Sequence, residues 1–147
     1  MTALEHPLLG SWRLRGWVAI ADDGSQSVPM GEAPEGLLVY SNDGTMVGIM
    51  GPAARPRFAS DDVTGGSDVE RAMAFATFIA YGGRYQIEGD TVSHDVETSL
   101  FPNWIGTVQQ RRWELAENGR LLTLTSPPLA LGGVVRVQRL TWERAGP

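Results

Sequence analysis

Two runs in the second half of this 147-residue chain alternate with a period of two, which only an extended backbone can turn into two distinct faces. In Thr91–Ser99 the alternation sets Val92, His94, Val96 and Thr98 on one face and Ser93, Asp95, Glu97 and Ser99 on the other. In Thr107–Leu115 it gathers Gln109, Arg111, Trp113 and Leu115 against Val108, Gln110, Arg112 and Glu114. His94 therefore points where the valines point. If the tryptophan face is the buried one, Gln109 and Arg111 face inward as well. Buried polar side chains need partners, and an imidazole, an amide and a guanidinium suit a ligand cavity better than a dry core.

The rest of the chain carries the punctuation of an antiparallel β protein. Strand-like runs are expected at Ser11–Ile20, Gly36–Tyr40, Thr45–Met50, Arg84–Ile87, Thr91–Ser99, Thr107–Leu115, Leu121–Thr125 and Val134–Arg144. Asp22-Asp23-Gly24 and Asn42-Asp43-Gly44 are turn signals, because these residues tolerate positive φ. Residues 51–66 are rich in Pro, Gly, Asp and Ser and read as a loop. Ser67 is an N-cap candidate, and Val69, Ala72, Met73, Ala76 and Ile79 then follow helical spacing, which predicts one helix of about three turns stopped by Gly82-Gly83. Eight or so strands in up-and-down order with one inserted helix predict an all-β fold, a single closed antiparallel barrel over residues 1–147. A barrel of that size either fills with side chains or holds one small ligand.

The residue types that are missing exclude whole chemistries. The chain has no cysteine and no lysine, all 12 basic residues being arginine. Disulfides, thiol nucleophiles, thiolate metal ligands and lysine Schiff bases are therefore out. Only His6 and His94 could supply imidazole ligands, so a histidine-rich metal site is excluded, and neither metal nor cofactor is expected. A net charge of −5 without a basic cluster argues against nucleic acid as a partner. No apolar run approaches membrane-spanning length and no leader is visible at the start, so a cytoplasmic, non-membrane protein is the expectation.

An ordered set of motifs resembles one family. Leu8, Gly10, Trp12 and Leu14 form LxGxWxL, and Pro34, Gly36, Leu38 and Tyr40 form PxGxLxY. Asp43, Gly44 and Met46 then match DGxM, and Ala80, Tyr81, Gly83 and Tyr85 match AYxGxY. His94 and Val96 supply HxV, and Phe101, Pro102, Trp104, Gly106 and Thr107 supply FPxWxGT. This series resembles the bacterial and fungal lipocalin-like domain family. The resemblance covers nearly the whole chain and implies an antiparallel barrel with a ligand pocket, with Trp12 at its base and an arginine such as Arg144 stacked over it. It implies little about chemistry, because fold does not fix function.

Candidate residues follow from these two lines together. His94, Tyr81 and Arg111 are the expected catalytic group. Tyr40, Met46, Met50, Phe75, Tyr85, Val96, Phe101, Trp104, Gln109 and Trp113 are the expected ligand contacts. Plainer roles compete: His94 as a core histidine satisfied by Tyr81 or Tyr85, Arg111 paired with Glu97 or Glu114, and Met46 and Met50 as core filler. Phe75, Phe78 and Tyr81 are expected on the helix at the barrel mouth, with Phe101 and Trp104 in a loop as a lid or a homodimer contact. Two functions fit. One is a cofactor-independent enzyme that folds an apolar polyketide- or terpenoid-like molecule and promotes cyclisation or isomerisation, with His94 as proton shuttle and Arg111 with Gln109 anchoring an oxyanion. The other is a carrier that binds such a molecule and leaves it unchanged. A serine hydrolase is the weakest idea, since GxSxG is absent.

Overall fold

In the computed structural model, which describes residues 5–146, the period-two pattern becomes eight principal strands closed on one another. They are β1 (Gly10–Ile20), β3 (Glu35–Tyr40), β4 (Thr45–Gly51), β5 (Ile79–Glu88), β6 (Thr91–Ser99), β7 (Val108–Ala116), β8 (Leu121–Thr125) and β10 (Val134–Arg144). Each pairs antiparallel with the next, and β10 returns to β1 through a ladder from Trp12↔Arg144 to Ile20↔Val137. Closure leaves no free edge along the ring. Two short strands lie outside this order: β2 (Gln26–Ser27) on β1 and β9 (Leu129–Leu131) on the start of β10.

Turn chemistry sets the hairpins. Gly44 takes φ 90° between β3 and β4, where an L side chain is strained, and Asp43 accepts hydrogen bonds from the Thr45 backbone N–H at 3.1 Å and from the Ser41 hydroxyl. Gly83 is required for a different reason. A β-carbon there would lie 1.9 Å from the Asp95 carbonyl oxygen, so β5 and β6 approach more closely than any side chain allows.

One end of the barrel is stoppered. Leu8 and Trp12 are fully buried, and the Trp12 indole N–H donates to the Leu8 carbonyl at 2.9 Å. The Arg144 guanidinium lies 4.2 Å from the Trp12 ring centroid, the stacking that the family resemblance implies. It also donates to the carbonyls of Leu9 (2.7 Å), Pro7 (2.9 Å) and Gly119 (3.3 Å), tying the segment before β1 across the base.

The structure corrects two local expectations. The helix α1 spans Asp68–Ala76, with Ser67 and Glu70 forming a capping box, and it ends at Thr77 rather than at Gly82-Gly83. Ile79 and Tyr81 continue the helical spacing by coincidence. They belong to β5, where the ladder to β4 (Met50↔Ile79, Gly48↔Tyr81) satisfies the backbone that a longer helix would otherwise have satisfied. Phe78 falls between the two elements, and no residue of α1 is buried, so the helix rides outside the barrel. The second correction is Thr98. A register shift opposite Gly82/Gly83 inserts Glu97 as an extra residue, and the inward face of β6 ends at Val96, leaving Thr98 exposed.

Candidate functional site

His94 is carried inward by the alternation of β6 between Val92 and Val96 and is 1% exposed. Both ring nitrogens have partners. Nε2 lies 2.7 Å from the Tyr40 hydroxyl, which reaches across the barrel from β3, and Nδ1 lies 2.8 Å from the Tyr81 hydroxyl on neighbouring β5. Burial, reinforced by the nearby positive charge of Arg111, pulls the imidazole pKa down to about 3. His94 is therefore neutral, donating through one nitrogen and accepting through the other. Burial pushes the hydroxyls of Tyr40 and Tyr81 above the ordinary phenol range, so both keep their protons. Tyr85 takes no part: its hydroxyl donates to the Ser41 carbonyl at 2.6 Å and lies 2.6 Å from His6 Nε2.

Beside this triad lies a small inner cavity of about 40 Å³. Leu38, Met50, Leu124 and Leu140 give it apolar walls and Trp17 and Trp142 aromatic ones. His94, Tyr81, Arg111, Ser126 and Gln138 contribute its polar groups. Arg111 is half-buried, and one of its N–H groups donates to the Gln110 carbonyl at 2.8 Å. No carboxylate pairs with it among the described residues; Arg112, on the outer face, takes Asp90 and Glu114 instead. The expected pairing of Arg111 with Glu97 or Glu114 is thus not formed.

Three residues, Ile79, Trp104 and Leu129, border both this cavity and an outer groove of about 400 Å³ at the barrel mouth. The groove also takes in Phe75, Phe78, Phe101 and Leu131. Trp104 sits on a short 3-10 turn, Pro102–Trp104, with its ring edge-to-face against Tyr81 (5.2 Å) and Phe101 (6.2 Å). The inner space is smaller than a pocket for a drug-sized ligand, which needs about 300 Å³ or more.

Among the expected contacts, Met50 and Trp104 line the cavity, and Phe75 and Phe101 line the groove. Tyr40, Met46 and Val96 are buried in the core away from the cavity wall. Gln109 donates to the Thr107 hydroxyl at 2.9 Å, and Trp113 keeps a buried indole N–H without a hydrogen-bond partner among the described residues.

Trp17, Ser126 and Gln138 line the cavity without having been singled out. The Trp17 indole N–H donates to Gln138 Oε1 at 2.8 Å, which fixes the orientation of that amide, and the Ser126 hydroxyl accepts from the Gln138 backbone N–H at 2.9 Å. Gln138 carried a readable signal: it shares an alternation with Leu140 and Trp142 on β10. Trp17 did not, because a bulge between Leu14 and Gly16 flips the inward face of β1.

A barrel closed at one end by a stacked tryptophan–arginine pair and lined within by aromatic, aliphatic and a few polar side chains is lipocalin-like. A family model of the lipocalin-like domain matches residues 9–145, and the chain belongs to that family. Over 105 residues it is 35% identical to a 4'-hydroxy-3'-methoxypropiophenone carrier protein of Aspergillus oryzae (strain ATCC 42149 / RIB 40), an alignment that covers 65% of this chain and 92% of the relative. Among the described residues no helix is long and apolar enough to cross a membrane, and no cluster of His, Cys, Asp or Glu could hold a metal ion.

Proposed function

We propose that this protein is a binding and carrier protein for a small, mainly apolar molecule of the aromatic or polyketide type, held inside the barrel. The observation that carries this reading is the neutral triad Tyr40–His94–Tyr81 set against an apolar cavity, an arrangement that orients a ligand by hydrogen bonds. The name of the Aspergillus relative points to the same class of cargo. Three tryptophans, Trp17, Trp104 and Trp142, line the cavity, so occupancy is readable by fluorescence. Titration with 4'-hydroxy-3'-methoxypropiophenone is expected to quench tryptophan emission saturably, and a Leu124→Trp variant that fills the cavity is expected to lose the response. A linear, non-saturating response in the unaltered protein would sink the reading.

A second reading, cofactor-independent cyclisation or isomerisation, draws on Tyr81 and Arg111 as donors to a developing oxyanion. The depressed pKa of His94 weighs against its use as a proton shuttle, since protonating it at neutral pH costs roughly 5 kcal/mol at 1.36 kcal/mol per unit. Mass spectrometry of candidate polyketide substrates incubated with stoichiometric protein separates the readings. Conversion that is lost in Arg111→Gln favours the enzyme, and recovery of unchanged ligand favours the carrier.

A further inference from the structure

Direction can be assigned to the hydrogen-bond chain Tyr40–His94–Tyr81, and the direction decides what the cavity offers a ligand. A neutral imidazole permits two arrangements. In one, Tyr81 donates to Nδ1 and Nε2–H donates to Tyr40, which leaves the Tyr40 O–H in need of another acceptor. Tyr40 is 0% exposed, and His94 is the one hydrogen-bond partner of its hydroxyl among the described residues. The nearest ring, Tyr85, turns its hydroxyl to the Ser41 carbonyl and to His6. The arrangement strands a buried donor. In the other, the Tyr40 O–H donates to Nε2, Nδ1–H donates to the Tyr81 oxygen, and the Tyr81 O–H is left to point at whatever fills the cavity that Tyr81 lines. Every hydrogen-bonding group of this chain is then satisfied except the Tyr81 O–H, which faces the ligand space.

Arg111 lines the same cavity, without a carboxylate partner among the described residues. A hydroxyl donor beside a half-buried cation selects an oxygen that is an acceptor only, and selects it most strongly when that oxygen is negative. We propose that the cavity takes a ligand bearing an acidic conjugated hydroxyl, a phenol or an enol, and holds its oxygen as the anion between the Tyr81 hydroxyl and the Arg111 guanidinium, with Tyr40 acting through His94 as a positioning residue. The released proton goes to solvent. This inference rests on the carrier reading and goes further by naming the charge state of the cargo.

The probe is 4'-hydroxy-3'-methoxypropiophenone, whose phenolate absorbs at longer wavelength than the phenol; its methyl ether, which cannot ionise, is the control. Spectrophotometric pH titration of the bound probe is expected to show its phenol ionising at least one unit lower than in water, equivalent to at least tenfold tighter binding of the phenolate than of the phenol. Arg111→Gln is expected to abolish most of that shift. Tyr40→Phe, which touches no ligand, frees His94 to take the opposite tautomer and is expected to cut the phenolate preference at least threefold, whereas Tyr85→Phe leaves it in place. Arg111 is half-buried and has no carboxylate partner among the described residues, so its variant keeps the test decisive even if Tyr40→Phe fails to fold. Saturable binding of both probes with an unshifted or raised phenol pKa overturns this inference and leaves the carrier reading intact. Failure of both probes to bind overturns the carrier reading and this inference with it.

Discussion

The barrel holds two imidazole–phenol chains built from the same groups, and they end differently. At the first, the Leu8 backbone N–H donates to His6 Nδ1, which makes Nε2 the donor to the Tyr85 oxygen, and the Tyr85 hydroxyl donates to the Ser41 carbonyl. Backbone groups close the chain at both ends. At the second, Tyr40 starts the chain in the sealed core and Tyr81 ends it at the cavity wall, with no backbone group taking the last donor among the described residues. A chain closed by backbone fastens one segment to another; a chain left open at a cavity is a receptor for something else.

The largest expected effect separates the two histidines. Removing the His94 ring empties fully buried volume and strips two buried phenols of their partner, so His94→Ala is expected to cost about 3–5 kcal/mol. His6 is only partly buried and its loss leaves the Tyr85–Ser41 bond standing, so His6→Ala is expected to cost about 1 kcal/mol. Urea unfolding at pH 7.5 measures both, and equal losses would break the comparison.

The two inward arginines repeat the contrast. Arg144 donates to three carbonyls and stacks on Trp12 at the stoppered end. Arg144→Met is expected to cost about 2–3 kcal/mol, because three acceptors lose charge-assisted donors at once. Arg144→Lys should recover only part of that in thermal melts, since an ammonium cannot span the same fork.

The barrel and the inward His94 were legible from local rules, because period-two alternation and Gly-containing turns act over a few residues. What local rules missed has a common cause. The bulges near Arg15 and Glu97 each reverse a strand's inward face, and they answer to closure of the ring rather than to their own segments. The boundary between α1 and β5 moved because the β4 ladder outcompeted continuation of the helix past Ala76. The partners of His94 were half visible. Tyr81 shares the neighbouring strand, but Tyr40 lies 54 residues away and meets it only once the barrel closes. Trp17 and Gln138, 121 residues apart, join for the same reason.

Acid sharpens the distinction between the chains in solution. His94 is depressed from 6.5 to about 3 in the folded protein, so below pH 6.5 the unfolded chain binds a proton that the folded one refuses. The stability this contributes is full above pH 6.5 and is lost as pH falls toward 3. Between pH 7.5 and pH 5 the loss is expected to be about 2 kcal/mol by linkage. Asp43, Glu70 and Glu143 have depressed carboxyl pKa values and add losses of the same sign only at lower pH. His6, lowered by burial, adds in the same window, and a His6→Asn background removes that contribution. In that background, His94→Gln is expected to flatten the profile between pH 7.5 and pH 5; a slope that survives places the titrating group elsewhere.

The smallest expected effect on stability falls at Arg111. With no carboxylate partner among the described residues and one hydrogen bond to its own strand, its guanidinium holds nothing in the fold together. Arg111→Met keeps the stem that covers the cavity wall and removes the charge, so stability is expected to change by no more than about 0.5 kcal/mol. A rise is as admissible as a fall, because the change also removes a half-buried cation. Cargo affinity is expected to drop about tenfold in the same protein, a 1.4 kcal/mol loss in binding set against almost none in folding. That split is the sign of a residue kept for the ligand, and calorimetric titration beside urea unfolding reads both halves. If Arg111→Met instead unfolds the barrel as Arg144→Met does, the cavity end is as much a structural fastening as the stoppered end, and the contrast between the two ends fails.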